Sequence, residues 1–95
     1  MRKEITIYVY DNSEFGKVLG ELALNETGGD CCEMTVLLPD GWDWFENDFG
    51  KVIESPSGVR GPVSDFIKHK HGKPYLNGTP LKILSEKRRS IAMAL

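Results

Sequence analysis

The chain has 95 residues, of which 40% are hydrophobic and 27% are charged, and its formal net charge at pH 7 is −2. This length and average composition predict a single globular domain, residues 1–95, and exclude collagen-like, coiled-coil and fully disordered proteins. No apolar run approaches the roughly 18 to 20 residues of a membrane span, and residues 1–6 lack the apolar core of a secretory signal. We therefore expect no membrane partner.

The two cysteines, Cys31 and Cys32, are adjacent. A disulfide between neighbours strains the peptide that joins them, and small secreted domains usually carry four or more cysteines. The pair therefore predicts reduced thiols and a cytoplasmic protein.

Period-two alternation predicts strands in the first half of the chain. Residues 4–10 and 32–38 alternate clearly, residues 50–54 form a shorter candidate, and residues 42–45 could open another strand. Residues 14–25 fit either a helix or a strand. Because two glycines in that stretch would each destabilise a helix interior by about 1 kcal/mol, we favour a strand.

The second half contains the best helix pattern, at residues 62–71. Pro62 suits the first helical position, Val63, Phe66 and Ile67 have helical spacing, and Gly72 suits a C-terminal cap. Further along, Asn77-Gly78 predicts a hairpin, and Pro80 predicts a sheet edge for the returning strand, residues 81–84. Residues 85–95 could form a short terminal helix or be frayed.

These elements predict an α+β fold. We expect a mainly antiparallel sheet of four to six short strands, one helix at about residues 62–71, and optionally a short C-terminal helix.

Charge is strongly divided along the chain. Residues 1–59 contain four basic and twelve acidic side chains, whereas residues 60–95 contain eight basic and two acidic ones. If the two halves also separate in space, each forms a surface that attracts a partner of opposite charge. If they pack together, the charges interleave and largely neutralise one another.

The segment 40–49 combines aromatic and acidic residues, among them Phe49. Aromatic side chains dominate many protein interfaces, and surrounding charges set orientation and association rate. The predicted partner-binding residues are Trp42, Trp44 and Phe45 as anchors, with Asp40, Asp43, Glu46 and Asp48 around them. The alternative is that these aromatics form the core of the domain, with a solvated acidic edge.

The basic C-terminal third offers a second candidate surface. Lysines and arginines near an aromatic ring can hold phosphates and stack a base. The residues of this alternative nucleic-acid site are Lys68, Lys70, Lys73, Tyr75, Lys82, Lys87, Arg88 and Arg89. A sequence pI near 5.6 counts against it, because nucleic-acid-binding domains are usually basic overall.

Catalytic and metal motifs are weak. His69 and His71 could combine with the two cysteines around zinc, but neither pair has the spacing of known zinc motifs. The sequence contains no nucleophile elbow, P-loop or dinucleotide motif. We therefore predict no enzyme, no cofactor and no metal, and keep a small metal-dependent enzyme as a remote alternative.

The leading hypothesis is a small regulatory or inhibitory protein that occupies a surface of a macromolecular partner, most simply another protein, through segment 40–48. By analogy of class alone, inhibitors of host defence encoded by mobile elements are proteins of this kind. A nucleic-acid-binding module is the alternative. The apolar residues 91–95 leave a homo-oligomer open.

Overall fold

The computed structural model describes residues 3–10, 17–22 and 29–91, which contain ten strands and one short helix. The strands are β1 (Glu4–Tyr10), β2 (Lys17–Leu19), β3 (Gly29–Leu37), β4 (Asp43–Asn47), β5 (Gly50–Glu54), β6 (Arg60–Pro62), β7 (Ile67–Lys70), β8 (Lys73–Leu76), β9 (Thr79–Pro80) and β10 (Lys82–Ile91), and the helix is α1 (Val63–Phe66). No helix in these ranges is long and apolar enough to cross a membrane.

The first sheet has the strand order β10-β3-β1-β2, and all its pairs are antiparallel. Side chains on successive strand residues point to opposite faces, so the pairing register sets which rows are buried. Ile5, Val36 and Ile83 lie opposite one another and form one such row on the core face. The alternation visible in the sequence of β1 is therefore the pattern of one buried sheet face.

Two smaller antiparallel sheets follow along the chain. The second sheet has the order β4-β5-β6, and the third sheet has the order β7-β8-β9. Asn77 and Gly78, with φ of 48° and 84°, form the two-residue turn between β8 and β9. Positive φ at both positions gives the backbone twist that such hairpins favour. Pro80 lies in β9 at a sheet edge, where its missing N–H breaks no ladder. The prediction of residues 81–84 as the returning strand is wrong, because β9 (Thr79–Pro80) returns and residues 82–84 belong to β10, which pairs with β3.

One apolar core joins the three sheets. It comprises Ile5, Ile7, Val9, Val18, Met34, Val36, Leu38, Ile53, Val63, Ile67, Leu76 and Leu81. The second sheet contributes Ile53, and the third sheet contributes Ile67 and Leu76. Packing on a shared core therefore fixes how the two small sheets sit on the first.

The α+β prediction is wrong, because the described residues are nearly all β. In the segment predicted as a helix over residues 62–71, only Val63–Phe66 is helical, and β7 begins at Ile67. Isolated helices of about ten residues are marginal. Pairing with β8 buries Ile67 in the core, and His71-Gly72, with φ of 52° and 79°, forms the hairpin turn. Gly72 is thus a turn residue and not a helix cap.

The optional C-terminal helix is also wrong over the described part of residues 85–95, and the strand count exceeds the predicted four to six. Residues 82–91 form β10, which pairs with β3 and leaves its other edge open. Charged side chains along such an edge discourage pairing with other chains. Within 14–25, where we favoured a strand, β2 covers Lys17–Leu19. Residues 14–16, 23–25 and 92–95 lie outside the described residues.

Candidate functional site

The hairpin β4–β5 carries most of the acidic aromatic segment and separates it between two faces. Trp44 lies opposite Ile53 and faces the core, whereas Phe45 lies opposite Val52 on the outer face. This separation follows from period-two alternation. The segment predicted as one surface is therefore divided between the interior and the exterior.

The two tryptophans pack against the core. The ring of Trp42 contacts Phe66 edge to face, with centroids 5.5 Å apart and an interplanar angle of 76°. Trp44 Nε1 donates a hydrogen bond of 2.7 Å to the backbone oxygen of Glu4 in β1. A half-buried indole with its N–H satisfied in this way stabilises the contact between the first and second sheets.

Lys51 anchors the same hairpin from its inner face. Its Nζ donates to the backbone oxygen of Thr6 over 2.9 Å and lies 5.5 Å from the centroid of the Trp44 ring. Burial lowers the pKa of Lys51, and the nearby Glu46 and Glu21 partly offset that effect. The hairpin is thus held to the first sheet by a hydrogen bond and a cation–π contact.

Phe45 is covered on the outer face. The guanidinium carbon of Arg60 lies 5.2 Å from the centroid of the Phe45 ring, and Arg60 Nε lies 3.1 Å from Glu54 Oε2. Asp40 lies before β4, at the end of the strand remote from the β4–β5 turn, and is paired with Lys3 over 2.7 Å. The hydrogen bond from Lys3 lowers the pKa of Asp40.

The turn between β4 and β5 presents the most exposed large apolar side chain described. Phe49 is 97% exposed, although its backbone N–H is held by Asn47 Oδ1 at 2.8 Å. Asp48 and Glu46 are exposed beside it, and the Glu21 carboxylate lies against Gly50, 3.2 Å from where a β-carbon would stand. We call Phe49, Glu46, Asp48 and Glu21 the acidic tip.

The anchors predicted from the sequence include the two tryptophans but not Phe49. The sequence Asn47-Asp48-Phe49-Gly50 indicates this exposed position. Asn, Asp and Gly favour turns, and a phenylalanine within such a turn is expected to face solvent. Gly50 has a φ of 107°, which closes this turn. Of the predicted set, Glu46 and Asp48 lie at the tip, whereas Asp43 lies at the far end of β4.

The predicted basic site is divided between two sheets. Lys68, Lys70, Lys73 and Tyr75 share the outer face of the third sheet, where Lys68 lies opposite Tyr75 and Lys70 lies opposite Lys73. The others lie on β10: Lys82, Lys87 and Arg89 on one face and Arg88 on the other. Arg89 is ion-paired with Glu33 of β3. The charge of β10 is therefore partly neutralised, whereas residues 67–80 contain no carboxylate.

The cysteines and histidines do not come together as a metal site. In residues 3–10, 17–22 and 29–91, no group of three or more His, Cys, Asp and Glu could hold a metal ion. Both thiols are free, and burial raises the pKa of Cys31 and of Cys32. A raised pKa reduces the thiolate needed for metal binding or redox chemistry.

We expect the stability of the protein to fall as the pH drops below about 7. Burial lowers the pKa of His69, and the charge of His71 lowers it further. The His69 ring therefore takes up a proton more readily in the unfolded chain than in the folded one. The contribution of His69 to the free energy of unfolding is complete above the pKa of an unfolded histidine, about 6.5. It is lost as the pH falls through that pKa, by at most about 1.4 kcal/mol per pH unit. Thermal unfolding between pH 7.5 and 5.5 measures the loss.

The matched variants for this test are His69→Gln and His71→Asn. The first should flatten the pH dependence, while the second should keep most of it, because asparagine tolerates the positive φ at position 71. Equal pH dependence in wild type and His69→Gln would rule out His69 as the source.

Comparison with known proteins assigns no family. The chain matches no protein-family model, no curated protein and no solved structure. The described residues present two candidate functional surfaces, the acidic tip and the basic face of the third sheet.

Proposed function

We propose that this protein is a small non-catalytic, regulatory or inhibitory binding protein that occupies a surface of a basic protein partner through the acidic tip. The observation that supports this most is the 97% exposure of Phe49, in a turn where Asn47 Oδ1 accepts a hydrogen bond from its backbone N–H. Phenylalanine is among the residues most often buried, so the nearly full exposure of Phe49 in this turn supports its burial in a partner.

The surroundings of Phe49 define the partner's chemistry. Glu46, near the end of β4, and Asp48, in the turn, are both exposed, and Glu21 lies beside Gly50. Carboxylates around an apolar anchor accelerate association with a basic surface and reject acidic ones. The partner site that fits is an apolar pocket rimmed by lysine or arginine.

Hydrogen bonds restrain the turn and the strand that follows it. Asn47 Oδ1 accepts from the backbone N–H of Phe49, and Lys51, directly after the turn, ties the hairpin to the first sheet. An ordered anchor loses less conformational entropy on binding than a flexible loop does. The tip therefore suits insertion into a preformed pocket.

We also propose a cytoplasmic location. Its support is the pair of free thiols, Cys31 and Cys32, which carry no bridge between them. Reducing compartments keep such thiols free.

Phe49→Ala is expected to weaken partner binding about 30-fold or more, because truncating a central aromatic anchor removes about 2 kcal/mol or more of binding free energy. The partner is first captured from the native host's lysate with wild-type protein and identified by mass spectrometry. Its affinity for wild type and variant is then measured with both proteins purified.

Val59→Ala is the matched control, since Val59 is also an exposed apolar residue, in the loop after β5, at 57% exposure. Its affinity should stay within threefold of wild type, and Asp48→Asn should mainly slow association. Equal capture by Phe49→Ala and wild type would contradict the proposal. If the wild-type protein dimerises and Phe49→Ala does not, the partner that buries Phe49 is a second copy of the chain and not a basic protein.

A further inference from the structure

A cavity of about 770 Å³ lies between β2 of the first sheet and the β7–β8 hairpin of the third sheet. Two facing edge strands border it, because β2 and β7 each end a sheet. Ligand sites of small molecules typically enclose about 300 to 1,000 Å³. The cavity is therefore large enough for a small organic ligand, and the acidic tip is not part of it.

The lining joins an apolar floor to a basic rim. Val18 and Ile67 are buried at the floor, while Lys17, Lys68 and Lys70 line the cavity with Tyr75. Lys68 and Tyr75 occupy directly opposite positions of the hairpin, so a basic and an aromatic residue are cross-strand neighbours on one face. The cavity thus offers positive charge and a stacking ring at one place.

The lysines of this hairpin repel one another. Lys70 and Lys73 are cross-strand partners on the face that also carries Lys68, and like charges directly opposite destabilise a sheet. Lys68 Nζ donates to the backbone oxygen of Ser64 over 2.5 Å, which leaves its charge uncompensated. Of the carboxylates that the structure describes, none forms an ion pair with Lys68, Lys70 or Lys73. A bound anion would relieve this repulsion.

We propose that this cavity binds a nucleotide unit, with its phosphate on Lys68 and Lys70 and its base against Tyr75. The ring supplies stacking, which any base accepts, and the lysines supply charge without sequence preference. The nucleotide can be free or can belong to a single-stranded nucleic acid, and the two sources differ in the probe that binds.

The test measures binding of two probes, a fluorescein-labelled dT12 oligonucleotide by anisotropy and ADP by calorimetry, each between 50 and 300 mM salt. Lys68→Ala/Lys70→Ala should weaken binding at least tenfold and reduce the salt slope of dT12 binding by about 1.4, since each lost phosphate contact removes about 0.7 for single strands. Tyr75→Leu should weaken binding about tenfold with an unchanged slope, and Tyr75→Phe should retain affinity.

Lys82→Ala/Lys87→Ala is the matched control, because it removes the same charge from β10. Its affinity should remain within twofold of wild type, and thermal unfolding checks that every variant is folded. Binding of dT12 alone with these dependences supports a nucleic-acid source, and binding of ADP with the same loss in the lysine and tyrosine variants supports a free nucleotide. Absence of binding by both probes at 1 mM, or equal losses in the site and control pairs, would overturn the proposal.

Discussion

Trp44→Ala is expected to lower the free energy of unfolding by about 3 kcal/mol, the lower end of the range for buried aromatic truncations. The side chain is half-buried against the core, and its loss also removes the hydrogen bond to Glu4 and the contact with Lys51. These contacts join the second sheet to the first. Urea unfolding followed by circular dichroism measures the change.

Phe49→Ala is the matched control in the same hairpin. It also removes an aromatic ring, but one that is 97% exposed, so its effect on stability should stay below about 0.5 kcal/mol. The two variants then separate stability from binding. Equal stability of wild type and Trp44→Ala would contradict the packing described and return Trp44 to the surface as a candidate anchor.

The parts of the fold that could be predicted from sequence are those specified locally. β1 alternates over its whole length, and Asn77-Gly78 supplies two residues that tolerate positive φ, so neither depends on distant contacts. The strand and the turn both form as predicted, whereas the returning strand of the hairpin is Thr79–Pro80 and not residues 81–84.

The helix at residues 62–71 failed because its decisive contacts are not local. Val63, Phe66 and Ile67 have helical spacing, yet Ile67 and His69 are also two apart and are both buried in the structure. The choice depends on β8, which offers Ile67 a ladder partner in Leu76. Tertiary pairing overrides a weak propensity of this kind.

The sequence predicts the region of the candidate site but not which of its aromatic residues is exposed. Strand alternation correctly places both tryptophans on one side, but it does not say which side meets the core. Phe49 lies two residues beyond Asn47, the last residue of β4, so strand alternation no longer applies to it. Its exposure follows from the turn and not from the strand.

The charge division of the sequence is realised only in part. β10 lies beside β3, so Arg89 meets Glu33 and the halves interleave there. Among the described strands, the third sheet pairs with no acidic one, and its lysines remain together. Strand pairing decides which charges neutralise, and the sequence alone does not reveal that pairing.

Ile53→Ala is expected to cost about 3 to 4 kcal/mol of unfolding free energy, within the range for fully buried isoleucines. Ile53 is 0% exposed and is the member of the second sheet in the fully buried core cluster. Val52→Ala, one residue earlier on the outer face and half-buried, should cost about 1 kcal/mol or less. Urea unfolding compares the two, and equal losses would mean that β5 does not present Ile53 to the core. A larger loss at Ile53 is expected because this side chain joins the hairpin that carries the acidic tip to the core, alongside Trp44 and Lys51.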